Sequence, residues 1–164
     1  MLNVRELNAL NRDEFTRLIG PVFEHSPWIA EQTWSHQPFA SRDHLYQALC
    51  QTVIADDDQS KLELIRAHPD LAGRVELTDA SSSEQASANL TQLSQEEMNS
   101  FQKYNRLYRE KFGFPFVICA RLNKKEAILS AFPVRLQNSH DEEKSTALGE
   151  IFKIADLRLR EIIQ

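Results

Sequence analysis

Three short stretches of the sequence carry side chains suited to chemistry. The first is His68-Pro69-Asp70-Leu71-Ala72-Gly73. Proline disfavours helix in the residue before it, so His68 stands where a helix must stop and projects its ring from a rigid corner. Imidazole titrates near neutrality, which suits that corner to general acid–base work; a histidine packed or hydrogen-bonded at a helix end fits the same residues. The second stretch is Ser81-Ser82-Ser83-Glu84-Gln85, in which Ser81 and Glu84 have capping-box spacing. Helix initiation explains that spacing alone. The first-turn N–H groups, with Glu84 and Gln85 around them, would equally suit an anionic or carbonyl oxygen of a ligand. The third is Ile154-Ala155-Asp156-Leu157-Arg158-Leu159, where Arg158 follows Ile151 by seven and Ile154 by four. That puts it on the shoulder of an apolar stripe. A guanidinium keeps its proton, so an inward one needs an anion, either Glu84 or a bound carboxylate. A snorkelling stem covering the core edge is the alternative.

Other chemistries fail on spacing. There is no glycine-rich phosphate loop and no serine nucleophile elbow. His25, His36, His44 and His140 form no metal-ligand pattern with cysteines or acids. The net charge of −5, without a basic stripe, argues against a nucleic-acid binder. Cys50 and Cys119 each lie in apolar stretches and are expected as buried free thiols. The amino end lacks a signal-peptide core, the carboxyl end lacks a Ser-Lys-Leu address, and no apolar run reaches membrane-span length. The expectation is a soluble cytoplasmic protein.

The elements that must position these stretches are helices. At 164 residues the chain suits one domain with a single core, expected over residues 1–164. Glycine is scarce and strand-like alternation nearly absent. Asn11 with Glu14 opens a helix that Gly20-Pro21 should kink or end early. Ser26-Pro27 opens a short one, and Ser41 caps a longer one that stops at Asp56-Asp57-Asp58, read as solvated loop. Capping boxes at Ser60/Glu63, Ser94/Glu97 and Ser139/Glu142 begin three more, with Gly113 as a C-terminal stop. Phe114 to Ala120 has the composition of a buried strand but no partner, so a buried irregular or helical segment is expected there. The whole reads as an all-α, multi-helix bundle without repeats or linkers.

Four strings occur together in order: His68 to Gly73, Ser81 to Gln85, Lys111-Phe112-Gly113-Phe114-Pro115-Phe116-Val117, and Lys153 to Leu159. With weaker matches at Ser26-Pro27 and Pro38-Phe39, they resemble the 2-oxo-4-hydroxy-4-carboxy-5-ureidoimidazoline (OHCU) decarboxylase family of urate breakdown over nearly the whole chain. The resemblance implies an all-α fold and cofactor-independent decarboxylation of a small ureidoimidazoline to S-allantoin. His68 would match the catalytic histidine, and Glu84 and Arg158 its acidic and basic partners. Pro69, Ser81, Ser82, Ser83, Glu84, Gln85, Phe116, Val117, Ile118, Cys119 and Ala120 would match substrate-contacting positions. Gln37 departs from the pattern, since relatives often have a basic residue before Pro38-Phe39. No cofactor, metal, nucleic acid or membrane is implied, and the oligomeric state stays open, a homodimer included. A helical interaction module or a ureide-binding domain is the alternative class, against which the intact His68, Glu84 and Arg158 count.

Overall fold

A computed structural model describes residues 1–73 and 76–164. Among them are nine α-helices: α1 (Val4–Asn8), α2 (Arg12–Ile19), α3 (Trp28–Thr33), α4 (Arg42–Ala55), α5 (Asp58–Arg66), α6 (Asp79–Ser87), α7 (Gln95–Phe112), α8 (Lys125–Leu136) and α9 (His140–Ile162). The described residues hold no extended strand, only an isolated parallel bridge between Leu2 and Ile163. The fold is all-α, as the capping pattern implied.

Local sequence chemistry sets most of the helix ends. Asn11 accepts the Glu14 N–H while Glu14 returns to the Asn11 N–H, and Ser94 with Glu97 repeats the arrangement. Ser41 caps α4, and Ser139 exchanges hydrogen bonds with Glu142 at the start of α9. Gly113 closes α7 at φ 76°, the left-handed conformation that a Cβ resists. Three expected starts move. The cap of α5 is Asp57, whose side chain accepts the Ser60 N–H, so Ser60 sits inside the first turn and Asp57-Asp58 is not loop. Pro27, not Ser26, occupies the N-cap position of α3, and the Ser26 hydroxyl donates to the Glu24 carbonyl at 2.9 Å. Thr78, not Ser81, caps α6.

The chain divides into two compact units, one of Met1–Ala67 with Phe152–Gln164 and the other of His68–Ile151. In the first, α3 packs on α2 and on α4. Its buried residues include Phe15, Ile19, Leu45 and Leu49, with the Phe15 and Phe39 rings stacked 5.9 Å apart.

In the second unit α7 packs on α8, and α6 on the 3-10 turn Ala120–Leu122. Helix α8 carries Pro133 in its interior and has no side-chain cap, so it lacks both usual sequence signals. Phe114 to Ala120 is buried and irregular, without strand pairing. A buried backbone must still satisfy its polar groups, and side chains do this here. Arg135 Nη1 donates to the Val117 carbonyl at 2.6 Å, and Asn123 Nδ2 to that of Cys119 at 2.9 Å. The Cys119 N–H donates to Glu150 Oε1 at 3.3 Å. Arg135 in turn pairs with Glu143, which also accepts from the Tyr108 hydroxyl at 2.6 Å. The guanidinium lies 4.1 Å from the Phe116 ring centre, and Phe116 stacks on Phe132 at 3.9 Å.

Candidate active site

His68 lies just past the end of α5, before Pro69, and is 6% exposed. The loop that follows is fastened by side chains of its own unit. The Gln85 amide spans it, accepting from the Ala72 N–H at 3.1 Å and donating to the Asp70 carbonyl at 3.4 Å. From α7, Asn105 Nδ2 donates to the Leu71 carbonyl at 2.9 Å and Arg109 Nε to Asp70 Oδ1 at 2.9 Å. The corner is therefore held at three successive residues, Asp70, Leu71 and Ala72.

Helix α6 faces this loop through Gln85. With Thr78 as N-cap, accepting the Ser81 N–H at 3.2 Å, Ser81 occupies the third helical position. Glu84 then stands a turn further on and takes no part in the cap. Ser81 and Gln85 are buried, Glu84 and Pro69 half-buried, and Ser82 and Ser83 exposed. The far end of α6 is tied down as well, since the Ala88 carbonyl accepts the Lys125 N–H at 3.0 Å and the Ser87 carbonyl accepts Lys124 Nζ at 2.6 Å.

The segment Phe116 to Ala120 is buried throughout. Burial pushes the Cys119 thiol above its ordinary pKa. The N–H groups of Leu122 and Arg121 oppose that shift, and the carboxylates of Glu150 and Glu84 add to it. Through the Gln85 hydrogen bonds and the packing of α6 on Ala120–Leu122, the structure brings together the loop after His68, the middle of α6 and the end of this apolar segment. All three belong to the second unit.

Arg158 belongs to the first unit, on α9, and is 6% exposed. It is more deeply set than a shoulder position implies. Its Nη2 donates to Glu24 Oε2 at 2.9 Å and its Nη1 to the Pro21 carbonyl at 3.1 Å. Glu24 was not legible as a partner. It lies in the turn between α2 and α3, far from Arg158 in sequence and outside any helical periodicity. Lys153 and Arg160 are exposed, and Arg160 pairs with Asp156 at 3.0 Å. The Gln37 amide, in the departing position, donates to the Leu7 carbonyl at 3.5 Å.

The family model described as OHCU decarboxylase matches residues 8–160. This chain belongs to the OHCU decarboxylase family. The 2-oxo-4-hydroxy-4-carboxy-5-ureidoimidazoline decarboxylase of Halalkalicoccus jeotgali is 45% identical over 161 residues, covering 98% of this chain and 92% of that protein. Among solved structures, an (S)-allantoin synthase is similar with a TM-score of 0.79 and 28% identity, over 99% of this chain and 54% of that one. An OHCU decarboxylase crystallised in the presence of (S)-allantoin has a TM-score of 0.70 and 25% identity, over 91% of this chain and 96% of that one.

Proposed function

We propose that this chain decarboxylates 2-oxo-4-hydroxy-4-carboxy-5-ureidoimidazoline to S-allantoin in urate breakdown, with His68, Glu84 and Arg158 as its catalytic groups. The family match over residues 8–160 carries this reading. The substrate supplies its own electron sink, a ring C=N bond beside the carbon that bears the carboxylate. As CO2 leaves, the electron pair of the breaking C–C bond forms a new ring double bond, and the imine π pair moves onto nitrogen, which takes up a proton. A proton then adds to the ureido-bearing carbon, while the hydroxyl loses its proton and becomes a carbonyl. The protein has to orient the carboxylate, meet the shifting charge and deliver a proton to one face.

His68 is assigned the proton transfer, paired with the substrate hydroxyl. Glu84 would hold the imidazole or the ureido N–H groups, and Arg158 would fix the substrate's charge or orient Glu84. Pro69, Ser81 to Gln85 and Phe116 to Ala120 are assigned as substrate contacts. The burial of Ser81, Gln85 and Phe116 to Ala120 supports a dry wall, while Pro69 and Glu84 are half-buried and Ser82 and Ser83 exposed. Two free thiols, Cys50 and Cys119, fit a reducing compartment, and we infer the cytoplasm. The assembly is proposed to be a homodimer, which sedimentation equilibrium would show as twice the monomer mass.

The test is to add the chelated, dialysed protein to freshly generated urate-oxidation product and follow circular dichroism. Fast growth of the S-allantoin band supports the reading. Growth no faster than the spontaneous reaction, or a requirement for an added divalent ion, would overturn it.

A further inference from the structure

We infer that Glu24 is a positioning residue for catalysis, setting the direction of the Arg158 guanidinium; the inference rests on the proposed role of Arg158 in holding substrate charge. Both groups are withdrawn from water, with side-chain exposures of 1% for Glu24 and 7% for Arg158, and the ion pair between them is 2.9 Å long. The contact is directional. Nη2 bonds the carboxylate and Nη1 bonds the Pro21 carbonyl at 3.1 Å, so one short turn fixes two nitrogens of a planar fork.

That turn is built to hold its shape. The Phe23 N–H donates to the Gly20 carbonyl at 3.2 Å, and the Ser26 hydroxyl donates to the Glu24 carbonyl at 2.9 Å. Val22 and Phe23 are each 1% exposed and anchor it from below. His25, immediately after Glu24, adopts φ 46°, a left-handed conformation unfavourable for a residue with a Cβ. Such strain persists only where the surroundings over-determine it. His25 Nε2 itself is 4.0 Å from Glu24 Oε1 and its side chain is 67% exposed, so it competes weakly for the carboxylate.

Stability alone is a poor reason for the pair, because a buried ion pair is often matched or bettered by apolar residues of similar volume. Its distinctive contribution is orientation. An arginine meant to meet a substrate anion must point the same way before substrate arrives, and misplacement of about 1 Å can cost about 10²-fold in rate.

Glu24→Gln keeps an oxygen acceptor and removes the charge, and Glu24→Asp keeps the charge but draws the carboxylate back by one methylene. Both are expected to lower kcat/KM by about 10–10²-fold with KM rising, measured on folded protein after a thermal melt. In an Arg158→Gln background the Glu24→Gln change should have no further effect on kcat/KM. If Glu24→Gln does not fold, Glu24→Asp carries the test. Wild-type kinetics for the Glu24 variants beside a damaged Arg158→Gln would make Glu24 merely structural and overturn the inference. Wild-type kinetics for Arg158→Gln itself would overturn the role of Arg158 and the inference with it.

Discussion

Because Thr78 accepts the Ser81 N–H, α6 does not draw its cap from Glu84, and the two roles that spacing left open for this carboxylate come apart. Glu84→Gln should therefore leave melting nearly unchanged, within about 0.5 kcal/mol, and depress turnover strongly. A melting shift without a rate change would make Glu84 structural. At Arg158 the planar fork matters as much as the charge. Arg158→Lys keeps the charge but cannot hold Glu24 and the Pro21 carbonyl with two fixed nitrogens, so turnover should fall. Arg160→Lys, in an exposed pair with Asp156, should be silent. Matching, wild-type kinetics for the two variants would remove Arg158 from the active site. His68 and Arg158 were legible as candidates because a histidine before proline and an arginine on an apolar stripe are each locally odd. Glu24 was not, because an acid in a turn looks like solvated surface.

Capping chemistry made the helices readable and also misplaced the starts of three of them. Asp57 and Thr78 each stand three residues before a serine that itself precedes a glutamate by three. Both oxygen-bearing residues fit the cap rule, and the chain uses the earlier one each time. Helix α8 left no such mark, with Lys124 at its N-cap and Pro133 inside it. The Phe114 to Ala120 segment was legible as buried and as irregular or helical, and the structure takes the irregular form. Its backbone partners are the side chains of Arg135, Asn123 and Glu150, which no local pattern announces. The cleanest test at this scale is the end of α7. A Cβ added at Gly113 would meet nothing within 4 Å, so Gly113→Ala isolates the left-handed backbone preference. It should lower stability by about 1–2 kcal/mol in a denaturant titration. An unchanged midpoint would mean that the helix ends differently.

For the molecule as a whole, composition and charge narrowed the class, and the all-α architecture followed from the capping pairs. The substrate did not follow from either. It came from four strings in order, and the family match over residues 8–160 agrees with them. That match spans both compact units. We propose that residues 1–164 act as one functional domain, which predicts a single calorimetric transition with equal calorimetric and van't Hoff enthalpies. Two resolved transitions would assign the units separate stabilities. Among the described residues no helix is long and apolar enough to cross a membrane.

We propose that the His68 imidazole moves the proton in a stereospecific decarboxylation. It is tested most directly by comparing wild type and His68→Gln on freshly generated substrate, reading both the rate and the sign of the allantoin dichroism. The far-ultraviolet spectrum and melt of the variant check its fold. The expected result is a folded variant slowed about 10²–10⁴-fold, while the wild type yields the S enantiomer. A folded His68→Gln protein that makes S-allantoin at the wild-type rate would contradict it.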